Sequence, residues 1–173
     1  MAEENKVSFR KDFAILTLSD KGSRGERMDT SGAWLRETLQ MGGYKLADYT
    51  ILPDQEELIV EKLIELVDTK NIALIITTGG TGLSPTDQTP EAMDRVFEKD
   101  IPGIAEAMRA ASMLKTNRAM LSRGRAGIRG ESLIINLPGS LKAVKENLEV
   151  FLNVLPHALE KIQGEEGDCG MPA

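Results

Sequence analysis

Residues 71–90 constrain this chain most: Asn-Ile-Ala-Leu-Ile-Ile-Thr-Thr-Gly-Gly-Thr-Gly-Leu-Ser-Pro-Thr-Asp-Gln-Thr-Pro. The segment opens with an unbroken apolar run, Ile72 to Ile76. That run is too short for a helix and rich in β-branched residues, so it predicts a strand buried on both faces. Gly79, Gly80 and Gly82 follow, interrupted only by Thr81. Glycine admits positive φ and lets a ligand approach the backbone N–H groups. Thr77, Thr78, Thr81 and Ser84 add hydroxyls. Thr89-Pro90-Glu91 has the form of a helix start, with Thr89 as cap, Pro90 at the first helical position and an acid in the first turn. A strand, a glycine loop and a helix N-terminus in this order make a site for phosphate or another anion. The bland alternative is a tight strand-to-helix connection, which rarely needs three glycines and four hydroxyls together. The segment is neither a Walker loop nor the dinucleotide fingerprint, because neither spacing is present.

Strand and helix patterns alternate along most of the chain. Phe13 to Leu18 predicts a first buried strand, followed by a polar loop from Ser19 to Gly32. Asp29 or Ser31 can cap the helix that carries Trp34, Leu35 and Leu39, and Gly42-Gly43 ends it. A second strand spans Tyr44 to Leu52. The next helix begins near Pro53-Asp54, where Asp54 and Glu57 have capping-pair spacing. Asp54 taken alone therefore has a good role as a helix cap. After the central segment, helices are expected from Pro90 to Glu98 and from Ile104 to Leu114. The second of these has a Met- and Ala-rich surface suited to packing or to a subunit contact. Short strands are expected at Ala119 to Ser122 and Ala126 to Arg129, and a buried strand at Leu133 to Leu137. Pro138-Gly139-Ser140 then leads into helices that end near Ile162. The fold expected is a three-layer α/β/α sandwich with a mainly parallel sheet and right-handed crossovers. In such a sheet the loops after Leu18, Ile76 and Leu137 gather on one rim, where α/β proteins bind ligands.

One domain over residues 12–163 suits a chain of 173 residues, with residues 1–11 a flexible N-terminus and 164–173 a disordered acidic tail. A net charge of −6 argues against general nucleic-acid binding. Ile101 to Lys145 nonetheless carries +6, leaving −12 elsewhere, which suggests a local anion site. Arg123, Arg125 and Arg129 stand out within it, in a glycine-containing stretch of little helical character. The single cysteine, Cys169, permits no intrachain disulfide, and the single histidine, His157, lies in a terminal helix as a structural or surface residue. Metal sites built on His and Cys are excluded by supply. With no signal peptide and no long apolar span, a cytoplasmic protein with no membrane partner is the simplest expectation.

Four motifs in order resemble the molybdenum-cofactor biosynthesis family, and in particular its molybdopterin adenylyltransferases. They are Ser19-Asp20 with Gly25, Asp29 and Ser31-Gly32; Thr78-Gly-Gly-Thr-Gly82 with Asp87-Gln-Thr-Pro-Glu-Ala92; Leu121-Ser122-Arg123 with Gly127-Ile128-Arg129-Gly130; and Leu133-Ile-Ile-Asn-Leu-Pro-Gly-Ser140. The resemblance covers Phe13 to Ile162. It implies attack by the terminal phosphate of molybdopterin on the α-phosphorus of Mg-ATP, releasing pyrophosphate. It also implies a homotrimer and hand-over of the product to a molybdate-inserting enzyme. On the same ground, Asp54 and Asp87 become catalytic and Mg2+-binding candidates, and a functional Asp54 is favoured over a cap. Asp20, Asp29, Thr78, Gly79, Gly80, Thr81 and Gly82 become candidates for nucleotide or phosphate, although Asp20 and Asp29 could simply order their loop. Ser122, Arg123, Pro138, Gly139 and Ser140 become candidates for molybdopterin. Joining one phosphate to another needs positioning and charge neutralisation, not a histidine or a covalent nucleophile. The competing possibility is a non-catalytic molybdopterin-binding or scaffold paralogue. An unrelated nucleotide-binding module would need a base-recognition pattern that the chain lacks.

Overall fold

The structure is a computed structural model that describes residues 9–164. Expectations for residues 1–8 and 165–173, including the acidic tail and Cys169, lie outside the described residues. Six strands form one sheet in the order β2-β1-β3-β6-β5-β4. They are β1 (Asp12–Leu18), β2 (Lys45–Leu52), β3 (Leu74–Thr78), β4 (Lys99–Asp100), β5 (Ala126–Arg129) and β6 (Ser132–Leu137). The neighbours β2, β1, β3 and β6 run parallel, whereas β5 and β4 add an antiparallel edge.

Two-residue periodicity sends alternate strand side chains into two separate cores. Phe13, Ile15, Leu74, Ile76, Leu133 and Ile135 enter one. There, with the single-turn α1 (Asp20–Ser23) outside the core, they meet α2 (Thr30–Met41), α5 (Pro102–Met113), α6 (Leu141–Phe151) and α7 (Leu155–Ile162) through Leu35, Met108, Leu148 and Leu159. Ala14, Leu16, Ile75 and Ile134 enter the other. There they meet α3 (Glu56–Ile64) and α4 (Thr89–Val96) through Ile59, Leu63 and Met93. A strand apolar on both faces can be buried only between two helical layers, and that produces the sandwich.

Register fixes the functional rim. Thr17 pairs with Thr78, Thr78 with Leu137, and Leu18 with Leu52. The loops leaving β1, β2, β3 and β6 therefore emerge side by side, including the Asp54 loop. No helix of the described residues is long and apolar enough to cross a membrane.

Several local expectations are corrected. Residues 9–11, expected to be loose, are held. Phe9 packs on the first core, Arg10 exchanges two hydrogen bonds with Gln163, and Lys11 accepts one from Lys45 N–H. Thr89 is not a cap but the first residue of α4, and its buried hydroxyl donates to the Gly79 carbonyl at 3.3 Å. Asp54 does not cap α3: Gln55 stands at that position without a side-chain cap bond. Ala119 to Leu121 lies in a 3-10 turn, Asn117–Leu121, rather than a strand. The two-residue β4 was not anticipated, because a pair of exposed charges carries no strand signature.

Candidate active site

The rim is assembled by hydrogen bonds between loops distant in sequence. Thr78 donates to the Pro138 carbonyl at 2.7 Å, and the N–H of Gly79 donates to the Leu137 carbonyl at 3.0 Å. Ser31 donates to the Gly139 carbonyl at 2.9 Å, while Ser140 caps α6 by accepting from the Ala143 N–H. Close backbone approach requires two of the glycines. Gly79 has φ +110°, and a Cβ there would overlap the Leu18 carbonyl. Gly80 has φ +63°, and a Cβ there would overlap Thr89 Oγ1 and lie 3.0 Å from Thr89 Cβ. The N–H groups of Gly80, Thr81 and Gly82 have no acceptor among the described residues. Backbone donors without an internal partner, in a positive-φ turn near the start of α4, suit phosphate oxygens.

Three carboxylates stand beside this loop. Asp20 and Asp54 are joined reciprocally: the Asp20 N–H donates to Asp54 Oδ2 at 3.2 Å, and the Asp54 N–H donates to Asp20 Oδ1 at 3.1 Å. Asp54 Oδ1 faces the glycine turn, 3.3 Å from the position a Gly80 Cβ would take. Partial burial raises the Asp54 pKa above its ordinary value. The Asp20 charge raises it further, against the opposing backbone bond from Asp20, and the Asp87 charge also adds. Asp87 Oδ2 accepts from the Ser84 N–H at 2.9 Å. No ion pair among the described residues involves Asp20, Asp54 or Asp87. No group of three or more His, Cys, Asp or Glu among these residues forms a closed metal cage. Carboxylates beside a phosphate loop fit Mg2+, which takes one or two protein oxygens and completes its shell with water and phosphate.

Asp29 is differently placed. Its Oδ2 accepts from Thr17 at 2.5 Å and from the Tyr49 hydroxyl at 2.6 Å, while Oδ1 accepts from the Gly32 N–H at 2.8 Å. Burial pushes the Tyr49 phenol well up, and the hydrogen bond to Asp29 adds to this. Both Asp29 oxygens thus serve to fix the start of α2.

Two clefts flank Pro138-Gly139. One, of about 320 Å3, lies between Thr17, Ser19, Asp29, Thr78 and Ser140. The other, of about 240 Å3, is bounded by Thr81, Arg109, Arg118, Ser122, Asn136 and Pro138. Ser122 to Gly124 is drawn against the glycine loop by the Arg123 N–H, which donates to the Thr81 carbonyl at 2.9 Å. Asp54, Asp87 and Ser122 therefore surround one loop instead of lying on opposite faces.

The three arginines singled out in the sequence do not form a free anion cluster, although Arg109 and Arg118 of the same segment border the cleft of about 240 Å3. Arg123 pairs with Glu91, Arg125 with Asp94 and Asp100, and Arg129 with Asp68. His157 is exposed on α7, far along the chain from every rim loop. Sequence reasoning missed Asn136. It is fully buried and lines the second cleft; its amide N–H donates to Thr77 Oγ1 at 2.9 Å and to the Gly79 carbonyl at 3.2 Å. Its Oδ1 has no partner. The available signal was a lone amide inside the apolar run Leu133-Ile-Ile-Asn-Leu137, since a buried polar group is retained where it has bonds to make.

A glycine loop with unpaired N–H groups, flanking carboxylates and two clefts at the carboxyl edge of a parallel sheet form a site suited to phosphorylated ligands. Residues 14–157 match the family described as a probable molybdopterin binding domain, within molybdenum-cofactor biosynthesis, and the chain belongs to that family. The molybdopterin adenylyltransferase of Helicobacter pylori (strain ATCC 700392 / 26695) is 41% identical over 156 residues, which are 88% of each protein. The molybdenum cofactor synthesis protein cinnamon of Drosophila melanogaster is 40% identical over 154 residues, 87% of this chain but only 25% of that longer protein. The solved structure of the molybdopterin biosynthesis enzyme MoaB from Thermus thermophilus superposes with a TM-score of 0.84 at 48% identity, covering 89% of this chain and 97% of that one.

Proposed function

We propose that this chain is a molybdopterin adenylyltransferase that transfers AMP from Mg-ATP to the terminal phosphate of molybdopterin and releases pyrophosphate. Family membership and the adenylyltransferase relatives support a nucleotidyltransferase of molybdenum-cofactor biosynthesis. The observation that carries the finer reading is the convergence of unpaired Gly80–Gly82 N–H groups, the Asp54 and Asp87 carboxylates and the Ser122 loop. In this reading the N–H groups of Gly80, Thr81 and Gly82 hold phosphate oxygens in place, with Thr78 tying that loop to Pro138; the Gly79 N–H, a phosphate candidate in the sequence, is committed to the Leu137 carbonyl. Asp54 and Asp87 would hold Mg2+, with Asp20 orienting Asp54. Bound Mg2+ would neutralise phosphate charge and so lower the repulsion between the two reacting phosphates. Of the molybdopterin candidates, Ser122 and Pro138 line the cleft of about 240 Å3 and Gly139 and Ser140 the cleft of about 320 Å3 beside Asp29 and Thr78, so the proposed pterin contacts span Pro138-Gly139. A molybdopterin oxygen forms the new bond to the α-phosphorus as the bond to pyrophosphate breaks. Positioning and charge neutralisation supply the rate, and no side chain has to exchange a proton.

The proposed assembly is a homotrimer, supported by the exposed apolar residues Met113, Leu114, Met120 and Leu121 around the end of α5. A cytoplasmic location and hand-over to a molybdate-inserting enzyme belong to the same proposal. The test is incubation with purified molybdopterin, α-labelled ATP and Mg2+, followed by detection of AMP attached to the pterin. Asp87→Asn should reduce Mg2+-dependent turnover by about a hundredfold or more while molybdopterin still binds. Turnover of Asp87→Asn at the parent rate would remove Asp87 from the mechanism.

A further inference from the structure

The guanidinium of Arg123 is occupied on three sides. Nε donates to the Gly82 carbonyl at 2.8 Å, Nη2 donates to the Asp87 carbonyl at 2.5 Å, and Nη1 pairs with the Glu91 carboxylate. One rigid fork thus grips both ends of the loop from Gly82 to Asp87 and the first turn of α4. Within that loop the backbone is closed by the Asp87 N–H, which donates to the Ser84 carbonyl at 2.9 Å. A Cβ at Gly82 would lie 2.7 Å from Asp87 Oδ2, so the two loop ends already touch. Although partial burial works against its charged form, the Arg123 hydrogen bond holds the Glu91 carboxyl below its ordinary range.

We infer that Arg123 and Glu91 form a positioning pair that sets the direction of the Asp87 carboxylate, and that the Arg123 guanidinium does not touch molybdopterin. This rests on the reading that Asp87 acts at the metal-bound phosphates. The planar fork is essential, because lysine has one nitrogen and cannot reach two carbonyls and a carboxylate in fixed geometry. Glu91 is equally specific. It holds the guanidinium edge that the loop does not use, and so prevents the fork from rotating.

The test uses Arg123→Lys and Glu91→Gln in the full chain, with three readouts: amide hydrogen exchange at Ser84 and Asp87, Mg2+ half-saturation of turnover, and molybdopterin affinity. Arg123→Lys should speed exchange at both amides about tenfold and raise the Mg2+ requirement about tenfold, with turnover restored by excess Mg2+. Glu91→Gln, at a more exposed position, should move the same two readouts about threefold. Molybdopterin affinity should stay within about twofold of the parent in both. A loss of molybdopterin affinity in Arg123→Lys, with exchange unchanged, would make Arg123 a ligand contact and overturn the inference. Unchanged exchange in both variants would overturn it as well. If exchange rises while Asp87→Asn remains fully active, the clamp exists and the reading of Asp87 has failed, so the two failures are separable.

Discussion

Gly80→Ala probes the phosphate loop directly, and its cost can be worked from two separable sources. The first is conformational. At φ +63° an alanine enters the left-handed region, at a cost of about 1–2 kcal/mol. The second is steric. The new methyl overlaps Thr89 Oγ1 and sits 3.0 Å from Thr89 Cβ. Thr89 is fully buried and its hydroxyl bonds the Gly79 carbonyl, so it can yield only by breaking that bond and leaving its rotamer. Those two losses are worth about 1 kcal/mol each. The expected destabilisation is about 3–4 kcal/mol, together with loss of turnover as the loop is pushed off its phosphate geometry.

Two other glycines calibrate the sources. Gly43 has φ +83° with nothing within 4 Å of an added Cβ, so Gly43→Ala measures the backbone cost alone, about 1–2 kcal/mol. Gly103 lies in the first turn of α5 with ordinary φ and open space, so Gly103→Ala should change stability by about 0.5 kcal/mol or less. Thr89→Ala should relieve the overlap with Oγ1. The Gly80→Ala/Thr89→Ala double variant should therefore be more stable than the sum of the single effects by about 1 kcal/mol. Urea unfolding monitored by far-UV circular dichroism supplies all five stabilities, and the AMP-transfer assay reports on the loop. If Gly80→Ala costs no more than Gly43→Ala, or the double variant is strictly additive, Thr89 does not wall the turn as described.

Asp54→Asn should lose turnover yet gain stability at pH 7, on the order of 1 kcal/mol or less given the partial exposure of the carboxyl. The folded-state pKa of Asp54 is raised, so the parent loses stability as pH rises from the unfolded carboxyl value through the folded one. The advantage of the variant should vanish below about pH 4, and a gain persisting at pH 3 would contradict the sign. Sedimentation at micromolar concentration should give a trimer, and Leu114→Glu, at a position 90% exposed in the single chain, should shift it toward monomer without lowering its unfolding midpoint. A monomeric parent protein would refute the assembly.

The parallel core was legible because its information is local. Runs such as Ala14 to Leu16 and Leu74 to Ile76 are apolar at both parities, and only a strand between two layers satisfies that pattern. The rim followed from topology, since parallel neighbours release their loops on one side. The charge pairing was not local. Arg125 meets Asp100 and Arg129 meets Asp68 across 25 and 61 residues, so a cluster that reads as an anion site in one dimension is neutralised in three. Thr89 and Asp54 failed as caps for a related reason. Each has a capping side chain one residue from the actual cap, and its bonds go to the Gly79 carbonyl and the Asp20 backbone instead. The Asn136 amide fits the same pattern, since its partners on β3 and the glycine loop exist only once β3 and β6 pair.

The Asp20–Asp54 pair shows why these tertiary overrides concentrate at the rim. A fold optimised for stability alone would not bring two carboxylates together beside a third without a cation. Here the reciprocal backbone bonds hold the two acids at fixed spacing, and burial and mutual repulsion act against the Asp54 charge. The neighbouring arginines are committed elsewhere: Arg123 to Glu91 and the loop carbonyls, Arg125 to Asp94 and Asp100. The Asp20, Asp54 and Asp87 carboxylates, none of them in an ion pair among the described residues, thus stand on one side of a turn whose unpaired N–H groups lie on the other. A cation-bearing polyphosphate satisfies both sides at once, and neither a free anion nor a free cation does. On the proposed reading, the repulsion held in the free protein would favour the metal–phosphate complex over either component alone.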